Sequence, residues 1–213
     1  MASELENEKE EGDNSIFVAI PRDRDQVFAN FDGGFLETLQ KVMAGPRQFG
    51  KYGPDIQYIK EFSQSAIKLD RALVQKSDRK AWLSQVDSIQ ENITREVVQK
   101  AFAEMPMEAQ DDTWKGIQED LLSRKQNLHD IVERYYDHFI KFQTLTGTDM
   151  GDEFTIDRLD NGDTRIVARR IKKDSSGVLF DRVFHEGETH EIWIYGLDDD
   201  DVFIARGDAG SKI

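Results

Sequence analysis

The chain contains no cysteine, only four prolines, and no apolar run longer than the five residues Ile16 to Ile20. Without a thiol it forms no disulfide, builds no thiolate metal site and has no cysteine nucleophile. No stretch approaches the roughly 18 to 20 apolar residues a membrane helix needs, so direct membrane insertion by this chain is not expected. Positive charge is also short, with 28 Lys and Arg against 42 Asp and Glu and a formal net charge of −14. Phosphate backbones and anionic lipid surfaces are held by clustered cations, so nucleic acid is not an expected partner. Divalent cations and basic partners remain open.

What is present suits one ordinary domain or two small ones in 213 residues. Residues 1–14 are rich in Glu, bury too little surface to offset ordering, and read as a disordered acidic leader. They have no apolar h-region, so no signal peptide is read there and a cytoplasmic product is the expectation. Residues 15–54 read as a strand and loop segment: Ile16-Phe17-Val18-Ala19-Ile20 stops at Pro21, and turns follow at Asp32-Gly33-Gly34 and Gly45-Pro46. Residues 55–145 read as helical. Ile56, Ile59, Phe62, Ala66, Leu69 and Leu73 recur at three and four, and Trp82, Val86, Ile89 and Ile93 follow after an interruption at Ser77-Asp78. Thr94 is a good N-cap for a helix stopped by Pro106. The longest helix is expected from Thr113 to Phe142.

Residues 146–213 alternate instead. Strands are expected at Glu153 to Leu159, Thr164 to Ile171, Val178 to Phe184, Glu191 to Tyr195 and Val202 to Ala205, with Asn161-Gly162 as a hairpin signal. The fold class is therefore α+β: an N-terminal strand and loop, a helical middle, and a C-terminal antiparallel β-meander that ends abruptly, as a truncated module would. No repeat at a solenoid period is evident, although the last strands can begin one.

Two acidic motifs carry the candidate chemistry. Arg22-Asp23-Arg24-Asp25 places two carboxylates at i and i+2, on one side of an extended backbone, where Asp23 and Asp25 can share Mg²⁺ or Ca²⁺. Asp198, Asp199, Asp200 and Asp201 stand in one turn, and a bound cation would relieve their mutual repulsion. That turn partly matches the calcium-binding β-roll repeat, with Leu197 and Asp199 in place of two of its glycines. His129 and His138 fall on different faces of a helix and do not have zinc-helix spacing. His185 and His190, with Glu186, Glu188 and Glu191, cluster near a loop and are a weaker metal candidate. No P-loop, dinucleotide fingerprint or nucleophile elbow occurs, so no catalytic residue and no cofactor-binding residue is assigned.

Ile20-Pro21-Arg22-Asp23-Arg24-Asp25-Gln26-Val27-Phe28, Phe31-Asp32-Gly33, Leu69-Asp70-Arg71, Phe102-Ala103-Glu104-Met105-Pro106, Gly147-Thr148-Asp149 and Glu188 to Leu197 form an ordered set. The set resembles a region of large Gram-negative bacterial proteins that join a calcineurin-like metallophosphoesterase to an outer-membrane surface-antigen barrel. In those proteins the Pro-Arg-Asp-Arg-Asp-Gln segment follows a Gly-Asp-Trp-Asp-Arg-His motif, and the two look like the catalytic and metal-binding loops of an atypical kinase-like fold. The resemblance implies metal-facing roles for Asp23 and Asp25, a parent protein of the cell envelope, and the missing flanking domains as partners. The family usually has glycines where Asp198 and Asp199 stand. This sequence lacks the upstream motif, any phosphoesterase metal cluster and any barrel. A non-catalytic fragment or connector is therefore the leading expectation. A free-standing divalent-cation-binding β-module and a residual metal-dependent kinase-like phosphotransferase are the alternatives.

Overall fold

The computed structural model describes residue 28, residues 34–171, residues 177–207, and residues 210, 212 and 213. The strand expected at Ile16 to Ile20 and the Asp23 and Asp25 motif lie outside the described residues. The described part is α+β, and none of its helices is long and apolar enough to cross a membrane.

Helices come first: α1 (Gly34–Val42), α2 (Ile59–Phe62), α3 (Ile67–Leu73), α4 (Arg79–Asn92), α5 (Arg95–Ala103), α6 (Asp112–Gln126) and α7 (Leu128–Phe139). The starts of α4, α5 and α6 follow side-chain caps, in which a short polar group accepts an amide left free by the first turn. Asp78 accepts from Ala81 N at 2.8 Å, Thr94 from Val97 N at 3.3 Å and Asp111 from Trp114 N at 3.1 Å. The interruption at Ser77-Asp78 is thus the cap of α4.

The single long helix expected from Thr113 to Phe142 is two helices, broken at Asn127. Asn favours ends over helix interiors because its amide competes for backbone partners. Here Asn127 Nδ2 donates to the Pro54 carbonyl at 3.1 Å. Phe142 has left the helix altogether and opens strand β1 (Phe142–Thr146).

Strands β2 (Asp152–Arg158), β3 (Thr164–Arg170), β4 (Val178–Phe184), β5 (Glu191–Tyr195) and β6 (Val202–Arg206) follow. The antiparallel meander holds for β2, β3 and β4, and the last two strands depart from it. One sheet has the order β4-β3-β2-β6 with β6 parallel to β2, and a second pairs β5 parallel to β1. The β2–β3 turn is the expected Asn-Gly hairpin. Leu159 N donates to Asp163 O at 2.8 Å and Gly162 N to Leu159 O at 2.9 Å, with Gly162 at φ +89°. A type I turn closed by a left-handed residue needs glycine at that place.

Asp163 ties this turn to the end of β4. Its Oδ2 faces His185 Nδ1 at 2.8 Å, and its Oδ1 accepts from Glu186 N at 3.1 Å. The His185 contact, with help from the Glu186 amide, holds its carboxyl below the usual aspartate range, against an opposing effect of burial that is second in size to the His185 contact. A carboxyl lowered in the folded state contributes stability that is complete above the unfolded aspartate value and is lost as pH falls through the folded one. The stability difference between the native chain and Asp163→Asn should therefore be largest near pH 6 and shrink toward pH 3. Urea unfolding at the two pH values measures it.

The main core lies between the helices and the strands. Tyr136, Phe139 and Ile140 of the α7 end pack with Ile67, Leu145, Phe154, Ile166, Phe180 and Phe184. Trp82 of α4 sits 5.0 Å from the Phe139 ring and 5.5 Å from Tyr135. A smaller cluster joins Val98 and Phe102 of α5 to Leu122 of α6, with Trp114 against Phe102 at 5.4 Å. Arg79 clamps α4 to α7 and to the loop before β5. Its guanidinium bonds Glu133, reaches Asp137 at 2.8 Å and Glu188 at 2.9 Å, and lies 4.5 Å above the Tyr136 ring. A planar fork suits several carboxylates at once, and the network fixes the helical layer on the strands.

Candidate functional site

The two parallel pairings share one register. Phe142 faces Glu191 and Thr146 faces Tyr195, while Glu153 faces Val202 and Asp157 faces Arg206. The offset is 49 residues in both (191 − 142 and 202 − 153). The strand–corner–strand unit β1–β2 is thus one rung, and β5–β6 is a second rung laid on it without a slip. The β3–β4 hairpin leaves the first rung and returns before the second.

Carried through the corners, the same offset aligns Gly147 with Gly196, Asp149 with Asp198, Asp152 with Asp201 and Phe154 with Phe203. The two corners read Gly-x-Asp-x-x-Asp-x-Phe, and the structure shows what most of those positions do. Gly147 N donates to Tyr195 O at 2.8 Å, which continues the β1–β5 ladder into the corner. Two acids of the upper corner then accept from amides of the lower one, Asp199 Oδ2 from Gly151 N at 3.2 Å and Asp201 Oδ1 from Asp152 N at 2.9 Å. Phe203 stacks on Phe154 with ring centroids 5.0 Å apart and planes within 6°.

The glycines follow from the crowding. A Cβ on Gly147 would lie 2.7 Å from Asp152 Oδ2 and 2.8 Å from the Gly196 carbonyl. One on Gly196 would lie 1.7 Å from Asp201 Oδ2. Only a residue without a side chain lets both carboxylates reach their amides.

Asp152 is the buried member of the corner, with no exposed surface. Its Oδ2 accepts from Thr148 N at 2.6 Å and Thr148 Oγ1 at 3.0 Å. Its Oδ1 is buried without a hydrogen-bond partner. A half-satisfied buried carboxylate is costly, and such groups call for a physical account.

Sequence reading placed metal roles on Asp198, Asp199, Asp200 and Asp201, and the structure separates them. Asp198 and Asp200 are exposed at the tip, whereas Asp199 and Asp201 hold the lower rung. Among the described residues no three carboxylate or imidazole groups converge as a metal would require. His185 faces Asp163, and His129 faces Asp87 at 2.9 Å. Asp152 and Gly147 were not singled out as site residues. Their signal was the recurrence of Gly-x-Asp 49 residues later, beyond common solenoid periods because a hairpin intervenes.

Leu197 at φ +86° and Asp199 at φ +66° are left-handed, and they are the two positions where the β-roll pattern has glycine. Asp tolerates this region through local hydrogen bonding, and Asp199 Oδ1 accepts from Asp200 N at 3.0 Å. A leucine there is strained by about 1 to 2 kcal/mol. Leu197→Gly is therefore expected to stabilise the chain by about 0.5 to 1 kcal/mol after the extra unfolded-state freedom of glycine is subtracted. A raised urea midpoint at unchanged slope is the expected result.

A cavity of about 1090 Å³ lies elsewhere, between α1 and residues 47–58. Its two arginines already have partners. Arg47 Nε donates to Gln40 O at 2.8 Å, and Arg124 Nε donates to Gly53 O at 2.8 Å while covering the Tyr52 ring at 4.0 Å.

No protein-family model, curated protein or solved structure matches the chain. The resemblance to the phosphoesterase–barrel proteins rests on the ordered motifs alone.

Proposed function

We propose that the chain works as a non-catalytic connector module of a larger, envelope-associated metallophosphoesterase-type protein, in which the helical layer seats a stacked β-rung unit. The constant 49-residue register carries this reading. It gives the acidic corner a mechanical task, because Asp199 and Asp201 direct carboxylate oxygens at backbone amides of the rung below. The ordered set of motifs supports the same parent. The test is an assay of the purified chain with an aryl phosphate and with ATP, each in Mg²⁺ and in Mn²⁺. Phosphate release at the buffer rate is expected. Turnover that disappears on Asp23→Ala would instead establish the phosphotransferase alternative.

One observation favours a second reading, a divalent-cation-binding β-module. The unpartnered Asp152 Oδ1 lies in the lower corner, against the upper corner that carries Asp198, Asp199, Asp200 and Asp201. A hard cation such as Ca²⁺ or Mg²⁺ takes six or more oxygens, so Asp198 or Asp200 would have to turn inward to complete a shell. Binding to the folded state alone raises the melting temperature in proportion to the logarithm of cation concentration. A rise of several degrees at millimolar Ca²⁺, absent in Asp152→Asn, would support this reading. An unchanged melting curve removes it.

A further inference from the structure

The rung interface is a rule for how one strand–corner–strand unit recognises another, and the upper rung leaves that rule unused on its outer side. Among the described residues, strands β5 and β6 each end their sheets, with the unpaired edge on the side away from the first rung. The side chains there match an interrupted stack. Phe203 is 51% exposed although one face covers Phe154, and Trp193, Tyr195 and Val202 are also exposed. Single exposed apolar residues need no explanation, whereas exposed aromatic residues on strands whose outer edges are unpaired mark a place for docking.

We propose that the β5–corner–β6 edge receives a third rung from another polypeptide, a strand–corner–strand segment running parallel to both strands. The occupant follows from the interface already present. It needs glycine over Gly196, because a Cβ on Gly196 itself would lie 1.7 Å from Asp201 Oδ2 of its own corner, and an occupant that repeats that acid repeats the crowding. It needs an aromatic residue over Phe203 to continue the stack. An acid at the place of Asp201 repeats the carboxylate-to-amide contact on the Asp201 amide, whereas the Asp200 amide already donates to Asp199 Oδ1 at 3.0 Å. The exposed Asp198 and Asp200 beneath it ask for Lys or Arg at the two remaining places, since four further acids would repel the corner. This is β-augmentation on two edges at once, with backbone pairing supplying affinity and the corner supplying specificity.

A second copy of this chain does not meet these requirements. The far edge of β2 is taken by β3, so the first rung of another copy cannot lie on this edge. Two upper rungs related by a two-fold axis would bring like acidic corners together instead of acids over amides. The inference rests on reading the chain as a connector module, but its test is separate from the catalytic assay.

The probe is a synthetic peptide copying residues 191–206 with lysine at the places of Asp198 and Asp200, added to the full chain. The expected result is saturable one-to-one binding by calorimetry, with amide-exchange protection gained in β5 and β6. Changing the phenylalanine of the peptide to serine, or its glycine to valine, should weaken binding at least tenfold while the protein stays native. Returning its two lysines to aspartate should also weaken binding, and the effect should diminish at high salt. Absence of binding, protection gained at β4 instead, or equal affinity for all four peptides would overturn the proposal. So would a dimer of the free chain, seen by light scattering, that protects the same two strands, because the occupant would then be a second copy.

Discussion

Phe154→Ala is expected to lower the unfolding free energy by about 3 to 5 kcal/mol, the usual range for deleting a buried phenylalanine. Phe154 has no exposed surface, stacks on Phe203 and lies 6.3 Å from Phe180. A Cβ on Gly147 would come within 3.0 Å of its ring, so the corner rests directly on it. The cavity left by alanine would open beneath three elements: the first rung, the second rung and the β3–β4 hairpin. Phe203→Ala removes the partner of the same stack, but half of that side chain already meets water, and about 1 kcal/mol is the expected loss. Urea unfolding followed by far-ultraviolet circular dichroism distinguishes the two. Equal losses would mean that the two rings are not stacked as described.

Asp152→Ala is expected to cost about 3 kcal/mol, for a different reason. The carboxylate accepts from the Thr148 amide and hydroxyl in a place that water does not reach, and hydrogen bonds to charged groups contribute about 1.5 to 3 kcal/mol. Removing it leaves the Thr148 amide unsatisfied and releases the lower corner, to which Asp201 is anchored through the Asp152 amide. Asp152→Asn keeps an oxygen for Thr148 and replaces the unpartnered Oδ1, if the amide is turned suitably, with a donor. It should lose much less than the alanine variant. If Asn proves as damaging as Ala, the negative charge itself is required, and a cation at the corner becomes the better account of the orphaned oxygen.

Much of the fold was legible because it is written locally. Thr94 and Pro106 bracket α5, Asn161-Gly162 makes the β2–β3 turn, and Val178–Phe184 and Glu191–Tyr195 are strands at the places alternation marks. The α6–α7 break was not legible, since the apolar spacing runs on through Asn127 and the break depends on the Pro54 carbonyl, a partner 73 residues away. Strand pairing was legible only where a short turn dictates it. The alternation of Glu191–Tyr195 reveals a strand but not that its neighbour is Phe142–Thr146, so a meander was the economical expectation. The acidic turn was recognised as special, yet its partner Asp152 sits in an unremarkable Gly-Asp-Glu-Phe stretch. Its importance appears only once the corners are superposed.

The inserted hairpin also orders events in time. The β2–β3–β4 meander joins residues close in sequence, whereas the rung pairings span 49 residues and must wait for that loop to close. Forming the hairpin first shortens the effective loop, so the second rung should fold after the meander and detach before it. Substitutions in β5 and β6 should then accelerate unfolding while leaving the refolding rate nearly unchanged, whereas those in β3 should slow refolding. A detached second rung would uncover Phe154 and the edge of β2 while the helical layer persists. The species most exposed to aggregation is therefore an almost native one.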